Sequence, residues 1–174
     1  GRVLASARTR GGKHGGDDIP MAGGPVQAAQ DYLQKLIATG HKVAVCEQLE
    51  DPAEAKKRGS KAVVKRDVTR LITPGTLTED ALLPTGGANW LLALAPEAGG
   101  ESFGLAWMDL STGAFHVGEV SGTRVEAELA RLAPAETLFP DTLDPDGEAM
   151  DALSRLGGSL SAQPSALVHG SGAA

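Results

Sequence analysis

The chain has 174 residues, a formal net charge of −6 and 41% hydrophobic residues, of which 27 are alanine and only six are aromatic. Large apolar side chains are scarce, so any core must be small. The single Cys46 excludes a disulfide framework and most cysteine-based metal sites. No run of about 18 apolar residues occurs, so no transmembrane helix is expected. No signal peptide is evident, which predicts a cytoplasmic protein. Because the chain opens on Gly1 rather than Met, we expect a fragment of a longer protein.

The net charge conceals a division between the two halves. Residues 1–75 contain 13 basic and 8 acidic side chains, a formal charge of +5, whereas residues 76–174 contain 3 basic and 14 acidic ones, a charge of −11. Such asymmetry is typical of two units with different partners. A basic unit attracts nucleic acid because each neutralised phosphate releases a counterion. The simpler interpretation, solvated faces without a partner, stays open.

The first half alternates helical and extended patterns. Apolar residues recur at three- and four-residue spacing before Gly40, as in an amphipathic helix that ends at a left-handed glycine. Asp51 and Pro52 suit the N-cap and first position of a second helix. The apolar run around Cys46 predicts a strand buried on both faces, with the thiol inside it. The predicted elements are a flexible basic loop over 1–18, a helix over 26–39, a strand over 41–48, a short helix from Asp51 and a strand over 62–73.

The second half has the element order of an α/β domain. Thr123 and Glu126 have the spacing of a capping box, which predicts a helix start. Asp144 and Pro145 are predicted to open a last helix, which Gly157 ends. The predicted elements are a linker over 79–88, a strand over 89–95, a hairpin of strands 102–110 and 114–120, a helix, a strand over 136–139, a helix, and a disordered Gly/Ser/Ala-rich tail over 158–174.

Basic side chains cluster over fifteen residues of the first half. Such a run usually forms a solvated face, but together with the N-terminal arginines it predicts phosphate contacts that do not depend on base sequence. Only Tyr32 is aromatic before Trp90, so the stacking platform of a single-strand binder is missing and duplex nucleic acid is favoured. The run comprises Lys56, Lys57, Arg58, Lys61, Lys65, Arg66 and Arg70.

A second candidate site is Asp109, which ends an apolar strand before a turn. In ribonuclease-H-like nucleases an acidic strand residue holds a catalytic metal together with further carboxylates. Glu136 and Asp141 are its possible companions. Aspartate is also a common turn residue, and this interpretation is favoured while the nuclease stays open. The four histidines are too far apart along the chain to indicate a zinc site.

Short motifs stand in order along the chain, and they are Ile19-Pro20-Met21-Ala22-Gly23, Val43-Ala44-Val45-Cys46-Glu47-Gln48, Asp51-Pro52, Val63-Val64-Lys65-Arg66, Thr73-Pro74-Gly75-Thr76, Asp109-Leu110-Ser111-Thr112-Gly113 and Pro134-Ala135-Glu136. Together they resemble the MutS family of DNA mismatch-repair proteins. The resemblance covers residues 10–139, and so many motifs in one order make it specific.

The resemblance implies an α/β chain in two parts. Residues 1–78 correspond to part of a mixed-sheet mismatch-recognition domain, and residues 89–157 to an incomplete connector domain with a ribonuclease-H-like fold. Family members bind mispaired duplex DNA as homodimers, use ATP and magnesium, and signal to downstream repair proteins. This chain lacks a P-loop motif, so it is expected to be neither an ATPase nor another enzyme, and to hold no cofactor or metal. The DNA-binding residues so predicted are Arg10, Lys13, Met21, Lys65, Arg66 and Arg70.

The family's Phe-x-Glu motif, which wedges beside a mispair, does not occur in this chain. We therefore expect duplex binding that is weak, salt-sensitive and blind to mismatches. Two alternatives stay open. One is a metal-dependent ribonuclease-H-like nuclease that acts through Asp109. The other is a protein-interaction module built on the acidic second half.

Overall fold

The computed structural model describes residues 12–14, 17–19, 26–59, 62–78, 87–97 and 99–168. The chain divides into two compact units, Gly1–Leu71 and Ile72–Ala174. Residues 72–78, which the sequence assigns to the first domain, pack within the second of these units. The predicted domain bounds stay a prediction. Most of the predicted linker, residues 79–86, lies outside the described residues.

The first unit contains two short strand pairs and two helices. β1 (Gly12–His14) pairs antiparallel with β2 (Asp17–Ile19), so part of the predicted flexible loop is a ribbon. A 3-10 turn leads into the first helix, and the last two strands of the unit pair with each other. The remaining elements are α1 (Ala29–Ala38), β3 (Val43–Gln48), α2 (Pro52–Lys57) and β4 (Arg66–Ile72).

Local sequence signals fix the helix boundaries here. Gly40 has a φ of +78° after α1, and its N–H donates to the carbonyl of Ile37 at 2.8 Å. The carboxylate of Asp51 accepts the N–H of Ala53 at 2.7 Å, and Pro52 takes the first helical position of α2. Both predicted helix boundaries are confirmed.

The predicted burial of β3 is wrong. Its residues alternate between half-buried and exposed for four positions and are then exposed, and Cys46 is an exposed free thiol. Among the described strands β3 pairs with β4 alone. A two-stranded ribbon offers no second layer, so an apolar sequence by itself does not bury it.

The second unit is built on a five-stranded sheet. The first three strands in chain order are antiparallel neighbours, and the last two run parallel to the first. The predicted hairpin is confirmed as the second and third of these strands. The strands are β5 (Trp90–Pro96), β6 (Ser102–Asp109), β7 (Ala114–Ser121), β8 (Glu136–Pro140) and β9 (Ser159–Gln163). They lie side by side in the order β7-β6-β5-β8-β9.

One face of this sheet packs against two helices, α3 (Val125–Leu132) and α4 (Glu148–Leu156). Leu92 and Leu94 alternate along β5 toward that face and are fully buried. Leu129 and Leu153 meet them from the helices. Burying one such leucine contributes about 2 kcal/mol, so this small core stabilises the second unit.

Helices α3 and α4 start later than predicted. A 3-10 turn over Gly122–Arg124 precedes α3, and no side chain caps it, so the predicted capping box is absent. The hydroxyl of Thr123 instead lies 3.2 Å from that of Ser121. The carboxylate of Asp144 accepts the N–H of Asp146 at 3.0 Å and closes a turn, and α4 follows from Gly147.

The predicted disordered tail is also wrong within the described residues. β9 lies inside it and pairs in parallel with β8, where Ser161 opposes Leu138. A short helix, α5 (Ser165–Val168), follows. Long-range backbone pairing supplies the order that the local composition of this Ser- and Gly-rich segment does not predict. Residues 169–174 lie outside the described part.

Candidate nucleic-acid interface

The structure describes four of the six predicted DNA-binding residues at backbone level. Arg10 and Met21 lie outside the described residues. Lys13 is in β1, where its backbone pairs with that of Asp18. Lys65, Arg66 and Arg70 lie just before or within β4, and all three are exposed. Whether they contact DNA stays a prediction.

β4 presents its two arginines on one face. Side chains alternate along a strand, so Arg66, Val68 and Arg70 share a face while Asp67 lies on the other. The arginine Cα atoms are about 13 Å apart at the usual rise per residue. Val68 between them is 55% exposed. The strand therefore presents two exposed arginines on one face, and arginine side chains of this kind contact phosphates in protein–DNA complexes.

A half-buried carboxylate holds the loop that leads into this strand. Glu50 accepts two hydrogen bonds from the guanidinium of Arg58, at 2.5 and 2.6 Å. It also accepts the backbone N–H of Lys65 at 2.5 Å. The hydrogen bond from Arg58 is the main reason that the pKa of Glu50 is lowered from 4.5 to about 2, and the one from Lys65 adds to it.

Some cations of the predicted basic run have structural roles. Arg58 forms an ion pair with Glu50 and also donates a hydrogen bond to the carbonyl of Val63 at 3.2 Å. Lys57 pairs with Glu54 on α2. Lys61 lies outside the described residues. The hydrogen bonds that Glu50 accepts from Arg58 and Lys65, called the clamp below, were not predicted from the sequence. The two partners lie 8 and 15 positions away along the chain, and no motif marks them.

Asp109 is a turn-forming residue in this structure. It is 3% exposed, and its carboxylate accepts the N–H of Ser111 at 2.9 Å and the hydroxyl of Ser111 at 2.6 Å. The N–H of Asn89 donates to its other oxygen at 3.3 Å. The hydroxyl of Ser111 is the largest cause that lowers the pKa of Asp109, against the opposing effect of burial. These donors stabilise the ionised form of the carboxylate.

The two carboxylates proposed as further metal ligands beside Asp109 form hydrogen bonds with other residues. Glu136 is engaged by Thr73, Gly75 and Ser161. Asp141 accepts the N–H of Ser165 at 3.2 Å. Within the described ranges no group of three His, Cys, Asp or Glu side chains could hold a metal ion. The donor set that the nuclease alternative needs is not assembled by these residues.

None of the helices that the structure describes is long and apolar enough to cross a membrane.

The chain matches two adjacent family models. The model of MutS domain I matches residues 2–81, and the model of MutS domain II matches residues 89–168. The chain therefore belongs to the MutS family. A similar protein is the DNA mismatch repair protein MutS of Rhizobium meliloti (strain 1021), which is 51% identical over 168 residues. The match covers 95% of this chain and 18% of that relative, so the chain spans a small part of the relative's length.

Proposed function

We propose that this chain contributes a DNA-facing surface and a connector to a mismatch-repair protein that binds mispaired duplex DNA. The exposed cations Lys65, Arg66 and Arg70 carry the proposal, because they lie together on one described strand segment. The +5 charge of residues 1–75 supplies the attraction at longer range.

The second unit, in this proposal, has the ribonuclease-H-like fold of a connector domain. The strand order supports it: three antiparallel strands in sequence, then two parallel strands added beside the first. The unit carries −11 over residues 76–174, so phosphates repel it. Its contribution is mechanical and not catalytic, and the chain has no enzymatic activity of its own.

The proposal extends to the assembly and its setting. The protein acts as a homodimer, couples DNA binding to ATP and magnesium held by a separate ATPase domain, and signals to downstream repair proteins. It works in the cytoplasm. The free exposed thiol of Cys46 is compatible with a reducing compartment.

Fluorescence anisotropy with a labelled duplex tests the DNA-binding role. About three phosphate contacts predict that affinity falls about 40-fold between 50 and 200 mM salt, since the logarithm of the affinity falls by about 0.9 per contact for each logarithmic unit of salt. Because the Phe-x-Glu wedge is not in this chain, a duplex with a single G·T mispair and its fully paired counterpart bind equally. Salt-independent affinity, or a clear preference of this chain for the mispair, would contradict the proposal.

A further inference from the structure

The second unit contains a cavity of about 310 Å³ that the DNA-binding role does not use. Pro96 and Phe103 line it from the sheet, Leu143 lines it from the segment before α4, and Ala149 lines it from the first turn of α4. Phe103 is 6% exposed and belongs to the core, so the cavity reaches the core's edge. Its volume is at the lower end for ligand pockets and suits one large side chain.

Small residues form much of the lining of the cavity. A Cβ atom added to Gly122 would lie 3.7 Å from the ring of Phe103, in ordinary contact. Gly100, Gly147 and Ala149 complete the small-residue lining. This uncovered apolar surface favours an apolar ligand, because burying apolar surface contributes a free energy of about 25 cal/mol for each Å² removed from water.

The position of the cavity in the fold is the one at which α/β sheets bind ligands. It lies beyond the carboxyl ends of the parallel neighbours β5 and β8, which end at Pro96 and Pro140. From there β5 continues into β6 on one side, and β8 continues through α4 to β9 on the other. A crevice forms where the connections of adjacent parallel strands diverge.

The rim of the cavity is acidic. Asp144 and Glu148 line it and are exposed, and none of the described residues that line it is basic. The surrounding half of the chain is itself strongly negative, with 3 basic and 14 acidic residues over 76–174. An apolar pocket inside a negative field selects ligands that combine an apolar group with positive charge.

We infer that this cavity is a docking site for a partner-protein segment that inserts one leucine- or phenylalanine-sized side chain flanked by lysine or arginine. The apolar side chain fills the space beside Phe103, and the flanking cations face Asp144 and Glu148. An acidic segment or a nucleic acid is repelled by the same rim. The site lies in the second unit and the cations of β4 lie in the first, so the proposed DNA contacts and the proposed partner contacts involve different residues.

Two small probes test the two halves of this inference on the ¹⁵N-labelled full chain. Phenethylammonium has the apolar group with a positive charge, and 3-phenylpropionate has the same ring with a negative one. The ammonium probe is expected to give saturable amide shifts at Gly100, Gly122 and Gly147, with the carboxylate at least tenfold weaker. Equal binding of the two probes, or no saturable shift at these glycines with the ammonium probe, would overturn the inference.

Substitutions at the cavity test whether the ammonium probe binds there. Ala149→Leu fills the cavity and is expected to abolish the shifts, whereas Ala130→Leu, the same change on the exposed face of α3, leaves them intact. Should Ala149→Leu fail to fold, the exposed Glu148→Gln variant decides instead. It is expected to weaken the ammonium probe several-fold and to leave the carboxylate probe unchanged or stronger. Unaltered binding in whichever of the two variants is used would place the probe elsewhere and overturn the inference.

Discussion

The carboxylate of Glu136 accepts the hydroxyl of Thr73, a residue 63 positions earlier in the chain. The same carboxylate accepts the N–H of Gly75 at 3.1 Å and the hydroxyl of Ser161 at 2.6 Å. Glu136 is 2% exposed, so one buried side chain joins the 3-10 turn Pro74–Thr76 to the start of β8 and to β9. This is why the second unit begins at Ile72 and includes the turn that follows β4.

Removal of this carboxylate should strongly destabilise the second unit. Glu136→Ala leaves three donors without their acceptor in a buried site, and we expect a loss of about 3 kcal/mol in the free energy of unfolding. Trp90 and Trp107 are the only tryptophans and both lie in this unit, so their fluorescence in urea reports its unfolding. The exposed Glu119→Ala is the control, expected within about 0.5 kcal/mol of the parent. A similarly small change for Glu136→Ala would show that the three hydrogen bonds do not hold the turn.

The clamp between Glu50 and Arg58 predicts a pH dependence. The pKa of Glu50 is lowered from 4.5 to about 2, so the stability that the clamp contributes is complete above about pH 4.5 and is lost as the pH falls toward 2. A carboxyl NMR titration should find the midpoint of Glu50 near 2. It should rise toward 4.5 in Arg58→Gln and stay in place in Lys56→Gln, which removes the same charge from the surface of α2. A midpoint near 4.5 in the parent chain would mean that the clamp does not form in solution.

Ala133 ends α3 in a strained conformation. Its φ of 45° and ψ of 58° lie in the left-handed region, where it is the one non-glycine among the described residues. That conformation costs a residue with a Cβ about 1–2 kcal/mol, and part of the gain from glycine is offset by the greater freedom of its unfolded chain. We expect Ala133→Gly to stabilise the second unit by about 0.5–1 kcal/mol.

The matched control is Ala130→Gly on the exposed face of α3, which should destabilise by about 1 kcal/mol because glycine is a poor helix former. Urea unfolding followed by tryptophan fluorescence measures both variants. Destabilisation by both substitutions alike would contradict the left-handed C-cap.

Local signals predicted much of this fold. The N-cap at Asp51 and the left-handed Gly40 each act within a few residues, so their sequence patterns suffice. The hairpin of β6 and β7 is confirmed for the same reason, since its turn closes locally with the N–H of Gly113 on the carbonyl of Asp109 at 2.8 Å. The family motifs also follow the chain in order, and the two family models match both halves.

The sequence did not predict the structural features that depend on contacts between residues far apart in the chain. β9 is ordered by its pairing with β8 and not by its own composition. Cys46 was expected inside a covered strand, but burial depends on a second layer of structure that an apolar run cannot supply by itself. Arg58 and Arg66 look equivalent in sequence, and only the position of Glu50 separates the structural cation from the available one. Which cations contact DNA remains a prediction.

The salt dependence of duplex binding tests the central claim most directly. The triple variant with Lys65, Arg66 and Arg70 changed to glutamine removes three cations from β4, and each phosphate contact contributes a slope of about 0.9 to the plot of log affinity against log salt. We expect the slope to flatten by about 2.7 and the affinity at low salt to fall at least tenfold. Glutamine substitutions at Arg124, Arg131 and Arg155 remove the same charge from the second unit and should leave the slope unchanged. Equal slopes for the parent and the β4 variant would contradict the assignment of the DNA-facing surface to this strand.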